Sequence, residues 1–281
     1  MKIVDTYDGV SNLWQNSNGH FNKNSWKEYA ESISTGFSKK CLNDSKSYDF
    51  ENDVLPVIEA ALNSKDKLET LHNSFLSATK NLKERFVKVF GVDINVDIIL
   101  YLGLCNGAGW ATTLDETPAI LLGIEKIIEL DWFDDNNMTA LIYHELGHIW
   151  HDTVRILSHD TNPNSEKSIW QIYREGIAMY CEQLLLDDFL YYHQNKDGWL
   201  GWCNKNRKAL FIEYKKRVDK NESTQDFFGD WRNYLGYSDV GYYLGCELIK
   251  NLSPKYSLAK LANLETDDIY AELCSIVKSK Q

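Results

Sequence analysis

Apolar residues recur at helical spacing along most of this chain and at strand spacing over one short stretch. Leu68, Leu71, Phe75, Leu82, Phe86 and Val89 form a stripe that predicts a helix over 66–90, with another over 51–63. Such a stripe is core far more often than a partner site. Ser25-Trp26-Lys27-Glu28 reads as a capping box opening an earlier helix, while residues 1–23 look irregular and polar. Ile94 to Leu102 is β-branched and partly alternating, which predicts a strand, and Ala119-Ile120-Leu121-Leu122 predicts a second. Between them, Cys105-Asn106-Gly107-Ala108-Gly109-Trp110-Ala111 reads either as a hairpin turn or as a sheet edge where glycines admit close backbone approach.

Helical spacing then returns. Asn136-Asn137 can cap a helix carrying Met138, Leu141, Ile142, Leu146, Ile149 and Trp150. A break near Asn162-Pro163-Asn164 separates it from a helix capped by Ser165 and running through Ile169, Ile172, Ile177, Tyr180 and Leu184. Residues 199–217 read as helical after Trp199-Leu200-Gly201-Trp202, whose tryptophans either wall a cleft or, more commonly, fill a core. Ser238 can cap a helix through Leu248, Ile249 and Leu252, and Asp267 to Lys278 closes the chain as a helix. The pattern predicts an α+β, mostly helical protein: a helical N-terminal region over 1–92, then a small β-sheet, two helices and a helical C-terminal lobe over 93–281, or one continuous unit.

Composition narrows the function classes. With 43% hydrophobic and 25% charged residues in 281, the chain is globular in type. A net charge of -11 argues against nucleic acid or an anionic membrane as partner. Acids arrive early at the N-terminus and no run approaches the roughly 18 apolar residues of a membrane span, so a cytoplasmic location is expected. The six cysteines form no C-x-x-C pair and read as reduced thiols.

The chemistry concentrates in His144-Glu145-Leu146-Gly147-His148, an H-E-x-x-H pattern. On a helix, positions i and i+4 share a face one turn apart, so both imidazoles can reach a single Zn²⁺. Glu145 is placed to take a proton from a metal-activated water. Gly147 weakens the helix unless another backbone must approach there. A catalytic zinc takes three protein ligands and keeps one position open. The metzincin arrangement, with Gly and then His after the second ligand, fails because His151 and Val154 occupy those positions. The better third ligand is Glu175, in Tyr173-Arg174-Glu175-Gly176-Ile177-Ala178-Met179-Tyr180, with Gly176 leaving room beside a bulky metal centre. Glu182 and Asp152 can stand behind a His ligand or be solvated.

These motifs resemble the gluzincins, metallopeptidases that use two His and a downstream Glu. The Glu-Gly-x-Ala-x-Tyr wording and Trp150, two residues after the second His, are similar to the aminopeptidase branch and related zinc proteases. The resemblance covers about half the chain. It implies a zincin-like catalytic domain, Zn²⁺ held by His144, His148 and Glu175, and Glu145 as general base. It also singles out Tyr242, over Tyr243 and Tyr237, as the phenol stabilising the oxyanion, through the spacing Tyr242-x-x-Gly245. The chain departs from the aminopeptidases in two ways. The interval from His148 to Glu175 is longer, and Gly107-Ala108-Gly109-Trp110 lacks the Glu that holds a substrate's free amine. Exo- and endo-cleavage therefore stay open. The implied function is hydrolysis of a peptide or protein substrate; the alternative is a zinc-stabilised binding or regulatory protein without catalysis.

Overall fold

The computed structural model describes residues 1–158, 164–229 and 231–279. Strand β1 (Lys2–Asp5) leads into helices α1 (Tyr7–Asn16), α2 (Lys23–Ile33), α3 (Phe37–Asp44), α4 (Leu55–Asn63), α5 (Lys65–Thr79) and α6 (Leu82–Phe90). Strands β2 (Asp97–Tyr101), β3 (Gly109–Leu114) and β4 (Thr117–Gly123) follow, then α7 (Ile124–Glu129) and α8 (Asp135–Val154). The four strands form one sheet in the order β1-β2-β4-β3. β1, β2 and β4 run parallel, and β3 returns antiparallel to β4 as an edge. Asp115 and Glu116 make the β3–β4 turn with φ of 45° and 65°, the left-handed pair that matches the twist of a tight hairpin. Ile98, Leu100, Ile120, Leu121 and Leu122 are buried, as expected for strands covered on both faces.

Several expected boundaries move, each for a local reason. Residues 1–23 are not irregular: they contain β1 and α1. β1 is short and largely exposed, so it shows no alternation; its register, Lys2 opposite Asp97, is set by pairing far along the chain. Thr6 Oγ1 donates to Leu100 O at 2.7 Å, and the Trp26 indole donates to Leu102 O at 2.9 Å. The region expected to be purely helical thus supplies one strand of the sheet. α2 begins before the expected capping box because Asn22 accepts from the backbone of Asn24 and Ser25. The 66–90 stripe is two helices, parted where Asn81 leaves helical geometry at φ -127°. Its residues Leu71, Phe75, Leu82 and Phe86 are core.

Contacts divide the chain into two units, Met1–Leu146 and Gly147–Gln281, with the division inside α8. The second unit holds α9 (Asn164–Leu186), α10 (Trp199–Asp219), α11 (Val240–Leu252), α12 (Leu258–Leu261) and α13 (Thr266–Lys278). α9 packs against α10, α11 and α13. The break expected at Asn162-Pro163 lies outside the described residues. Ser165 sits within the first turn of α9, where its N–H donates to Asn221 Oδ1 at 2.9 Å. α11 is preceded by Asp239 at φ 59°, not capped by Ser238; the Asp239 carboxylate accepts from Gly229 N at 2.8 Å. The fold is α+β and mostly helical. No described helix is long and apolar enough to cross a membrane.

Candidate metal centre

Helix α8 begins at an aspartate. The Asp134 carboxylate accepts from Asn136 N at 3.0 Å and Asn137 N at 3.1 Å, so the expected Asn cap falls inside the first turn. From there Met138, Ala140, Leu141, Ile142, Leu146, Ile149 and Trp150 are all buried. A helix apolar on every side is a core helix, and polar groups on it need partners. His144, Glu145, His148 and His151 are nevertheless buried with it.

His144 and His148 lie one turn apart on this unbroken helix. Their ring nitrogens and a Glu175 carboxylate oxygen all lie within 4.8 Å of one another. His148 Nε2 and Glu175 Oε2 are 3.2 Å apart. A tetrahedral ion with bonds of about 2.0–2.1 Å would set its ligand atoms roughly 3.3 Å apart. The His148–Glu175 separation matches that spacing, and two imidazoles with one carboxylate suit zinc in chemistry. Glu175 is the least buried of the three, with a side chain 15% exposed.

Glu145 lies against the edge strand of the sheet. A Cβ built on Gly109 would come within 2.8 Å of the Glu145 Cδ, so only glycine at the start of β3 leaves room for this carboxylate. The group that approaches Gly109 is this carboxylate, not another backbone. Trp110, next along β3, is half-buried with the Lys40 ammonium 5.0 Å from its ring centre.

Two helix crossings rest on glycine. A Cβ on Gly147 would lie 2.9 Å from Ala178 Cα and from Cys181 Cβ, so α9 is the backbone that approaches there. Gly176 does not leave space for a metal: a Cβ on it would lie 2.9 Å from Gly245 Cα, and α11 fills the gap. The same contact explains Gly245, whose Cβ would lie 2.8 Å from Gly176 N.

Of the three tyrosines considered, Tyr243 is committed to the core. It is 1% exposed, its hydroxyl donates to Asn204 Oδ1 at 2.9 Å, and burial raises its pKa. Tyr237 stacks on Trp202 with ring centres 4.0 Å apart. Tyr242 is half-buried on the first turn of α11, edge-on to Phe228. Trp199 is core, its indole donating to Ser238 O at 2.7 Å.

The flanking acids separate. Asp152 is exposed and pairs with Arg174 at 3.4 Å. Glu182 is fully buried, with its two oxygens 3.0 and 2.9 Å from His193 Nδ1. His193 escaped sequence reasoning because it follows α9 in a segment with no periodic pattern or motif. The one available signal was a buried-looking acid on the ligand helix that needed a partner. His144, Glu182 and His193 form a second group with ligand atoms within 4.8 Å. His151 faces elsewhere: its Nε2–H donates to Ala262 O at 3.1 Å and its ring packs on Trp170 and Tyr173. Burial, then the Arg155 charge, lowers its pKa to about 3. All six cysteines are free, and none joins either group among the described residues. Burial pushes the Cys246 thiol up to about 12.

Compared with known proteins, the chain matches no family model, no curated protein and no solved structure.

Proposed function

We propose that this chain is a zinc-dependent peptidase of gluzincin type, acting on peptides or proteins in the cytoplasm. The observation that carries the reading is the convergence of His144, His148 and Glu175, with Glu145 next to the first ligand and against an edge strand. Bound there, Zn²⁺ would polarise a scissile carbonyl and bring the pKa of a water toward ~7. His144 and His148 hold their rings at fixed spacing because both belong to one rigid, buried helix. Glu175 supplies the negative charge that favours a cation over a third imidazole. Glu145 takes the proton from the attacking water and returns it to the leaving amine. Strand β3 is an edge strand of the sheet, on which an extended substrate can lie by backbone hydrogen bonds, beside that carboxylate. Tyr242 is the proposed donor to the oxyanion.

The test is Glu145→Gln in purified protein, read by metal content and by digestion of a peptide library. Loss of cleavage by about 10²–10⁴-fold with zinc retained is the expected result. Full cleavage by this variant would remove Glu145 as the base.

A further inference from the structure

The connection between strands β2 and β3 has no regular structure, yet side chains hold it residue by residue. Leu102 N donates to the Tyr29 hydroxyl at 2.9 Å, and Leu104 N to Asn106 Oδ1 at 3.0 Å. Gly103 N and Cys105 N donate to the two oxygens of Glu125, each at 2.9 Å. The Asn106 amide donates in turn to Cys41 O and Asp44 Oδ2, both at 2.9 Å. Cys105 is kept at φ 57°, a left-handed conformation that a non-glycine residue holds only under constraint. Glu125 reaches the connection from the first turn of α7, directly after β4. Because β4 pairs with both β2 and β3, the carboxylate ties the connection to the strand lying between its ends. A Cβ on Gly103 would come 2.6 Å from Glu125 Oε1, so the grip requires glycine there. Further on, Gly123 N donates to Ala108 O at 2.9 Å, and Gly109 opens β3 against Glu145. Glu125 is completely buried, and burial raises its pKa. An apolar side chain would fill that space without desolvating a charge, so packing alone does not call for a carboxylate.

We infer that Glu125 is a positioning residue: by gripping Gly103 and Cys105 it sets where edge strand β3 begins beside Glu145, and so aligns an extended substrate on that edge. Being fully buried, it acts through the backbone and not by touching substrate. The inference deepens the peptidase reading and rests on it.

Glu125→Gln, which keeps the shape but turns one acceptor into an NH₂ facing an N–H, tests this on the full chain beside wild type. The readouts are zinc content, kinetics on an extended peptide that wild type cleaves, and inhibition by two hydroxamates. Acetohydroxamate needs only the metal, whereas a peptide hydroxamate also needs the edge strand. Zinc content, kcat and acetohydroxamate inhibition should stay near wild type. KM and the inhibition constant of the peptide hydroxamate should each rise by about 10–100-fold. A merely structural role would reduce the active fraction, and with it the apparent kcat, and leave KM alone. A folded, zinc-loaded variant with KM within about twofold of wild type therefore overturns the inference, as does an equal loss with both hydroxamates. If the variant does not fold, amide exchange in wild type decides. Peptide hydroxamate should slow exchange at Gly103 and Cys105 together with β3, and slowing confined to β3 overturns the inference. Wild type that cleaves no peptide would instead refute the peptidase reading, a result seen before any variant is made.

Discussion

His151 shows what burial does to an imidazole on the same helix as the candidate ligands. Its pKa in the folded chain is about 3, against an ordinary 6.5. Above pH 6.5 the ring is uncharged in both folded and unfolded chains, and its contribution to stability is complete. Below 6.5 the unfolded chain binds a proton that the folded chain does not. Stability is then lost at up to about 1.4 kcal/mol per pH unit as the pH falls toward 3. Urea midpoints of the metal-free protein between pH 7 and 4 should therefore fall more steeply for wild type than for His151→Gln. Parallel slopes would show that this ring is not the group responsible. The tyrosines make a second residue-scale contrast. Tyr242→Phe should lower kcat by about 10²–10³-fold with little change in KM. Tyr243→Phe should leave kcat near wild type and cost about 1 kcal/mol in a thermal melt, because it loses only the bond to Asn204.

Between elements, the decisive contacts are glycine crossings. α8 meets α9 at Gly147, and α9 meets α11 at Gly176 and Gly245. Gly245→Ala places a methyl 2.5 Å from Ile172 O and 2.8 Å from Gly176 N, both backbone atoms that a rotamer change cannot move. It should destabilise by about 1–3 kcal/mol. Because α9 carries Glu175 one residue from the crossing, zinc affinity should fall with it. Gly201→Ala on α10 is the control, since nothing lies within 4 Å of its Cβ; it should be neutral or stabilising by up to about 1 kcal/mol. Thermal melts and chelator competition on the two variants check both expectations. These glycines also show how far pattern reading reaches. Gly147 stood out as a glycine in a helix that needed a close neighbour, and α9 is that neighbour. Gly176 beside a proposed ligand invited a metal-centred explanation, but its cause is a helix arriving from much later in the chain. The caps shifted for a local reason instead: Asp134 and Asn22, two and three residues upstream of the expected positions, accept from the first N–H groups of their helices.

For the whole molecule, a bound ion links chemistry to stability. Zinc held at 100 times its Kd would add about 2.7 kcal/mol, so chelation should lower Tm reversibly. In a peptidase, chelation should also abolish cleavage, and added zinc should restore both. Loss of stability from a protein that cleaves nothing, with or without zinc, would favour a binding or regulatory role.

Short-range periodicity accounts for the part of this protein that is legible along the chain. The i, i+4 placement of His144 and His148, the position of Glu145 between them and the helical character of most segments depend on neighbours within a turn or two. Mostly helical architecture with one small sheet follows from the same periods. The tertiary structure alone decided which distant groups meet. Strand β1 joins the sheet through pairing with residues near 97, Glu175 comes to His148 across a helix–helix contact, and His193 closes on Glu182 from a segment without a pattern. Such meetings are fixed by packing between remote stretches, which leaves no repeating mark along the chain.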